Sequence, residues 1–142
     1  YTLWHTLSLH DALPIYLRLA VEYHGNSLTD TPAAAADFLR AVDHPRLSTY
    51  WQMVRHRSQS GNLADLKQIL PWLSNLHTFF YADGNQVPLA AGKPFWKEVL
   101  GTVGGDRWVL LEFVAGGDPE QFRQDAATLT EILKDIQPQH TE

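Results

Sequence analysis

Residues 108–122 read WVLLEFVAGGDPEQF. Val109, Leu111 and Phe113 alternate with Leu110 and Glu112, so a strand over Trp108 to Phe113 turns Glu112 away from three apolar side chains. The strand runs into a loop, Ala115 to Gly117. Asp118 as cap, Pro119 at the first helical position and Gln121 at the capping-box position then open a helix. Phe122, Ala126, Leu129, Leu133 and Ile136 recur along it as one apolar stripe. A strand that ends on a carboxylate and passes through a short loop into a capped helix is one βα unit, the building block of parallel sheets and barrels.

Three more such units precede it. A strand over Leu17 to Tyr23 leads to a helix capped by Thr31, with Pro32 at its first position and Ala35, Phe38, Leu39 and Val42 as its buried stripe. A second strand, Leu47 to Gln52, is followed by a polar stretch and by Asn62 as the expected cap of a short helix. That helix carries Leu63, Leu66 and Leu70 on one face, and Pro71 closes or kinks it. A third strand, Leu76 to Tyr81, leads through a loop containing Gly and Pro to a helix opening at Pro94, which buries Phe95, Val99 and Val103. The fold class is therefore α/β, with about four βα units, parallel strands and outer helices in a single unit over residues 16–142.

Residues before Tyr16 stand apart. Thr6 to Ile15 (TLSLHDALPI) can be reverse-translated into a string that resembles a common sequencing-adapter oligonucleotide. Residues 1–15 are read as adapter-derived and left out of the fold. On that reading His5, His10 and Asp11 carry no chemistry.

Composition bounds the function. With 142 residues and 44% hydrophobic content the chain builds one core. A net charge of -5 without any run of like charges argues against nucleic acid or an anionic membrane surface as partner. A small molecule fits better. There are 0 cysteines, so a thiolate metal site is excluded and any metal must be held by His, carboxylates or amides. No apolar run reaches the roughly 18 to 20 residues that span a bilayer, and the first residues lack the basic-then-apolar order expected of a signal peptide. A soluble protein is expected, with the cytoplasm as its default compartment.

Strand parity then singles out four residues. Leu17/Leu19/Val21, Leu47/Thr49/Trp51, Leu76/Thr78/Phe80 and Val109/Leu111/Phe113 should face the helices. The opposite parity carries Glu22, Gln52, His77 and Glu112, each at or near the C-terminal end of its strand, where barrels and open parallel sheets build their sites. Any one of them alone is more simply a satisfied structural residue. Recurrence at four equivalent strand ends is what a shared site predicts.

LAVEYH (19–24), HPRLSTYWQ (44–52), LSNLHTFF (73–80), PLAAGKPFW (88–96) and WVLLEF (108–113), in this order and at these intervals, resemble the xylose isomerase-like TIM-barrel family of sugar phosphate isomerases and epimerases. The resemblance covers about Tyr16 to Ile136 and corresponds to the last four of the family's eight βα units, its C-terminal half. Ketose 3-epimerases of this family hold a divalent metal with Glu, Asp, His and Glu at the four strand ends. The resemblance thus implies Glu22, Gln52, His77 and Glu112 as metal ligands, with Gln52 in the place of Asp. An amide brings no charge, so the site should hold its manganese, magnesium or cobalt more weakly than three carboxylates would.

By the same resemblance Glu22 and Glu112 are the catalytic acid and base, abstracting a proton beside the carbonyl of a ketose or cyclitol. His24, Asn26 and His56 are the candidate substrate contacts. An inosose-type dehydratase begins with the same proton abstraction and stays open. A non-catalytic sugar-binding barrel is the alternative that Gln52 favours, and an abasic-site nuclease is disfavoured by the acidic balance. Four units also leave two unpaired sheet edges, so the chain by itself should be inactive and prone to pair into a homo-oligomer.

Overall fold

The computed structural model describes residues 17–136. The adapter reading of Thr6 to Ile15 falls outside the described residues. The main sheet has four strands, β1 (Leu19–Glu22), β2 (Leu47–Trp51), β3 (Leu73–Thr78) and β6 (Trp108–Leu111), all parallel and in the order β1-β2-β3-β6. Helices follow each of them: α1 (Pro32–Val42), α2 (Gln59–Ile69), α3 (Lys93–Val103) and α4 (Pro119–Ile136). The expected series of four βα units is present. Between β3 and α3 lies an antiparallel hairpin of β4 (Phe80–Ala82) and β5 (Asn85–Val87), which alternation alone did not reveal.

The helices cover one face of the sheet. Leu47, Trp51, Leu76 and the helix residues Leu39, Leu66, Ile69, Trp96, Val99 and Ile132 form its core. Trp51 and Trp96 meet edge to face, with ring centroids 5.9 Å apart. Two threonines, Thr49 and Thr78, are fully buried on this face. Each hydroxyl donates to a carbonyl of the neighbouring strand, Thr49 to Val21 O at 2.8 Å and Thr78 to Leu110 O at 2.9 Å, which removes the cost of burying it. On the other face Ala20, Trp108 and Leu110 are exposed, and Ser48, Tyr50, Asn75 and His77 are half-buried.

Element boundaries depart from the sequence reading for identifiable reasons. β3 begins at Leu73 rather than Leu76 because the β2–β3 register slips between Thr49 and Tyr50. Leu73 and Leu76 are both buried, three residues apart, and this bulge hides the alternation of the first half of the strand. β3 ends at Thr78, and Phe80 to Ala82 belong to the hairpin. Gly92 makes room for that turn of chain, since a Cβ on it would lie 2.4 Å from the Phe80 ring.

Asn62 does not cap α2. Ser58 does, accepting from Gly61 N at 3.0 Å, while Asn62 is buried within the helix. The buried face of α2 carries Ile69 rather than Leu70, which opens a 3-10 turn with Pro71. Asp118 accepts from Glu120 N at 2.9 Å as expected, but Gln121 donates forward to Asp125 at 2.8 Å instead of closing a capping box. Asp125, Thr128, Leu129 and Ile132 form the buried side of α4, and Phe122, expected in that stripe, is 50% exposed. Phe113 likewise lies beyond the end of β6 and is half exposed, its ring against Phe79. Among the described residues no helix is long and apolar enough to cross a membrane.

Candidate metal centre at the strand ends

Glu22 closes β1, His77 lies one residue from the end of β3, and Glu112 follows β6 directly. Their side chains meet. His77 Nδ1 is 3.1 Å from Glu112 Oε2 and 3.7 Å from Glu22 Oε1, and one donor atom from each residue lies within 4.8 Å of the other two. Adjacent strands of a flat sheet stand about 4.8 Å apart, so the edge strands β1 and β6 would be separated by roughly 14 Å. The two glutamate side chains reach inward across most of that gap, and a sheet that curves with this face concave closes the rest.

The register shows the stagger that goes with such curvature. Glu22 is in register with Tyr50, Tyr50 with Asn75, and Asn75 with Trp108. Following the ladder from Glu22 therefore arrives on β6 four residues before Glu112. The site residues climb that distance over three strand pairs, close to the one residue per strand of an eight-stranded barrel with shear about 8.

Gln52 follows β2, and continuing the pairing of Trp51 with Leu76 by one residue places it beside His77. Its Oε1 is buried with no hydrogen-bond partner. His77 Nδ1 is buried in the same state, because its approach to Glu112 lacks hydrogen-bond geometry. Buried acceptors are ordinarily satisfied, so two orphaned metal-capable atoms at neighbouring strand ends are a departure that a cation would resolve. The separations also suit one. Ligands at about 2.0 to 2.6 Å from a common ion lie roughly 3 to 5 Å from each other. Two carboxylates, an imidazole and an amide oxygen form a set for a hard or borderline divalent ion and fit manganese, magnesium or cobalt. Tyr50 packs its ring edge-on to His77, with centroids 5.0 Å apart, and fixes the plane of the imidazole.

The three candidate substrate contacts are not gathered with this cluster. His24 is exposed and turned onto its own loop, with Nδ1 2.8 Å from Gly25 O. Asn26 is exposed in a left-handed turn, φ 65°. His56, also left-handed at φ 66°, packs on the hairpin turn, where a Cβ on Gly84 would come within 2.6 Å of its ring. Gly84 is required there both by this contact and by its own φ of 74°.

Sequence reasoning missed the support behind the site. Asn62 accepts from Val54 N at 2.7 Å and offers its amide hydrogens to Val54 O, Arg57 O and Ser58 O at 3.2 to 3.4 Å, which fastens the segment after Gln52 to α2. Beside it Arg57 pairs with the buried Asp65. Tyr23, next to Glu22 but on the helix side, is buried with an unpartnered hydroxyl; burial, and then the Asp65 carboxylate, push its phenol pKa well above the ordinary range. An Asn inside a helix, eleven residues after the end of β2, was the available signal. A cleft of about 760 Å³ lies elsewhere, at the N-terminal ends of the strands among Arg18, Arg46, Tyr50, Trp72 and Trp108. It contains none of the clustered ligands, and active sites of parallel barrels form at the other end.

No protein-family model matches the chain, and no curated protein does either. Solved structures do. The probable 3-DHS dehydratase AsbF of Bacillus anthracis, involved in petrobactin synthesis, aligns over 82% of this chain and 49% of its own, with 25% identity and a TM-score of 0.60. A xylose isomerase-like TIM-barrel protein from Mycobacterium smegmatis, solved in complex with magnesium, aligns over 90% and 48%, with 15% identity and a TM-score of 0.66. The D-psicose 3-epimerase of Clostridium cellulolyticum H10, solved with D-tagatose, aligns over 91% and 53%, with 16% identity and a TM-score of 0.62. The chain spans about half the length of each of these structures. Its structural neighbours are thus xylose isomerase-like TIM-barrel proteins, and its four parallel βα units have the fold of half such a barrel.

Proposed function

We propose that the barrel to which this chain contributes four units is a sugar isomerase or epimerase that abstracts a proton next to a carbonyl. The observation that carries this reading is the convergence of Glu22, His77 and Glu112 on one point at the strand ends. The Glu22 and Glu112 carboxylates, His77 Nδ1 and the Gln52 amide oxygen are the atoms that would hold a divalent ion. When bound, the ion supplies positive charge beside the carbonyl oxygen that becomes negative as the proton leaves.

Glu22, at the end of β1, and Glu112, directly after β6, reach the cluster from the two edges of the sheet. One carboxylate oxygen takes the proton from carbon, the C–H pair moves into the new C=C bond, and the carbonyl oxygen receives the charge. The other carboxyl group, which enters the step protonated, gives its proton to the opposite face of that carbon and inverts it, and exchange with solvent restores the starting protonation of both. His77, held by Tyr50, keeps the two carboxylates apart and oriented. The substrate is a ketose, a cyclitol or a phosphorylated relative; His24 and Asn26, on the exposed loop after β1, are its candidate contacts, whereas His56 is engaged with the hairpin turn at Gly84. Four units lack the wall that would enclose it, so the isolated chain is expected to be inactive.

A dehydratase is the second reading, because the neighbour with the highest identity of the three, at 25%, is a dehydratase. Both begin with the same proton abstraction. They differ in whether a hydroxyl then leaves. The test is solvent deuterium incorporation into ketoses, followed by NMR in the full-length barrel. Exchange at the carbon beside the carbonyl without loss of water, abolished by Glu22→Gln and by Glu112→Gln, is the expected result. Full exchange in both variants refutes the two-carboxylate mechanism, and an unsaturated product identifies the dehydratase.

A further inference from the structure

We propose that the open face and both edges of the sheet are the docking surface for a second copy of this chain, and that two copies close head to tail into one eight-stranded parallel barrel. The helix-covered face is already packed. Exposed apolar side chains of the sheet gather instead at its edges and open face: Leu17 before β1 at 49% exposure, Trp108 and Leu110 on β6 at 76% and 42%. Among the described residues neither β1 nor β6 has a partner on its outer side. Because all four strands run the same way, a two-fold axis along the barrel axis sets β6 of each copy beside β1 of the other, parallel, and removes every edge. A second copy brings four further parallel strands, the number that closes an eight-stranded barrel.

The stagger fixes the pairing. A rise of four residues from Glu22 to Glu112 is half the shear of an eight-stranded barrel, so two copies reach the full value if each β6–β1 junction adds no further offset. Glu112 then lies in register with the second copy's Glu22, Leu110 with its Ala20, and Trp108 with its Arg18. Two of these pairs are favourable: an apolar contact, and a guanidinium facing an indole in the layer that now forms the exposed cleft. The third brings carboxylates together at the mouth, where each copy's triad sits. The inference uses only the fold and register, and it stands apart from the proposed chemistry.

Two measurements on the whole 142-residue chain, without metal or substrate, test it. Size-exclusion chromatography with light scattering on the unsubstituted chain should give about twice 16.1 kDa. Because the chain contains 0 cysteines, the double variant Ala20→Cys/Leu110→Cys reports on the junction alone. Under mild oxidation it should run as a covalent dimer on a non-reducing gel, since partners on adjacent strands fall within disulfide reach, whereas within one copy two strands intervene. A stable species at 16.1 kDa, whose face is left for a different four-unit half, overturns the proposal. So does an open-ended ladder of larger species, or a dimer that the Cys pair fails to link.

Discussion

Replacing Asn62 by Ala tests whether the segment behind the site is held as described. The side chain is fully buried and serves four backbone groups, one as acceptor and three as donor. An amide has only two hydrogens, so the three donations count as two bonds, and three hydrogen bonds are lost in all. At roughly 1 kcal/mol each, with a further penalty of about 1 kcal/mol for leaving Val54 N unpaired, the loss comes to about 3 to 4 kcal/mol. For a chain of this size that corresponds to a fall in melting temperature on the order of 10 °C. Urea unfolding followed by the fluorescence of the 5 tryptophans measures it, at one fixed protein concentration because self-association would add its own dependence. A loss below about 0.5 kcal/mol, the range of ordinary surface substitutions, would show that water replaces these contacts and that Asn62 does not pin the segment.

Ser58→Ala should cost about 1 kcal/mol by removing the α2 cap, in the same unfolding assay. Tyr23→Phe should stabilise the protein by about 1 kcal/mol at neutral pH, since the buried hydroxyl it deletes has no partner. The phenol's pKa is raised by folding, so the neutral form is favoured in the native state; stability present below the unfolded value of about 10 is lost as pH climbs past it. The advantage of the Phe variant should therefore widen between pH 8 and 11, and a constant difference would contradict the assignment. Gln52→Asp should raise manganese affinity at least about tenfold by adding a carboxylate within about 4 Å of the ion, and Glu112→Gln should lower it by a similar factor. Titration calorimetry reads both.

Much of this arrangement was legible because strand parity is a strict rule: Leu19, Val21, Leu47, Trp51 and Leu76 alternate with their neighbours, and Glu22, His77 and Glu112 fall on the other side. Pro32, Pro119 and Asp118 marked helix starts for stereochemical reasons that hold regardless of context. What escaped the reading depended on pairing between distant residues. The bulge opposite Thr49 breaks the alternation of β3, and strands as short as β4 and β5 carry too few residues for a period to show. Asn favours helix caps, yet Asn62 lies buried inside α2, because the backbone of Val54 and Arg57 folds over it. The His56 ring packs on Gly84 of a hairpin too short to show in the sequence pattern, which takes it away from a substrate-facing position.

Glu22, His77 and Glu112 converge as a metal site would. Titrating manganese into the metal-free 142-residue chain, with calorimetry and the loss of the free-ion electron paramagnetic resonance signal as paired readouts, addresses it directly. The prediction is one saturable ion per chain, with binding abolished by His77→Ala and weakened by Glu22→Gln in protein that remains folded by circular dichroism. Binding that both substitutions leave unchanged, or no saturable binding at millimolar manganese, would contradict it.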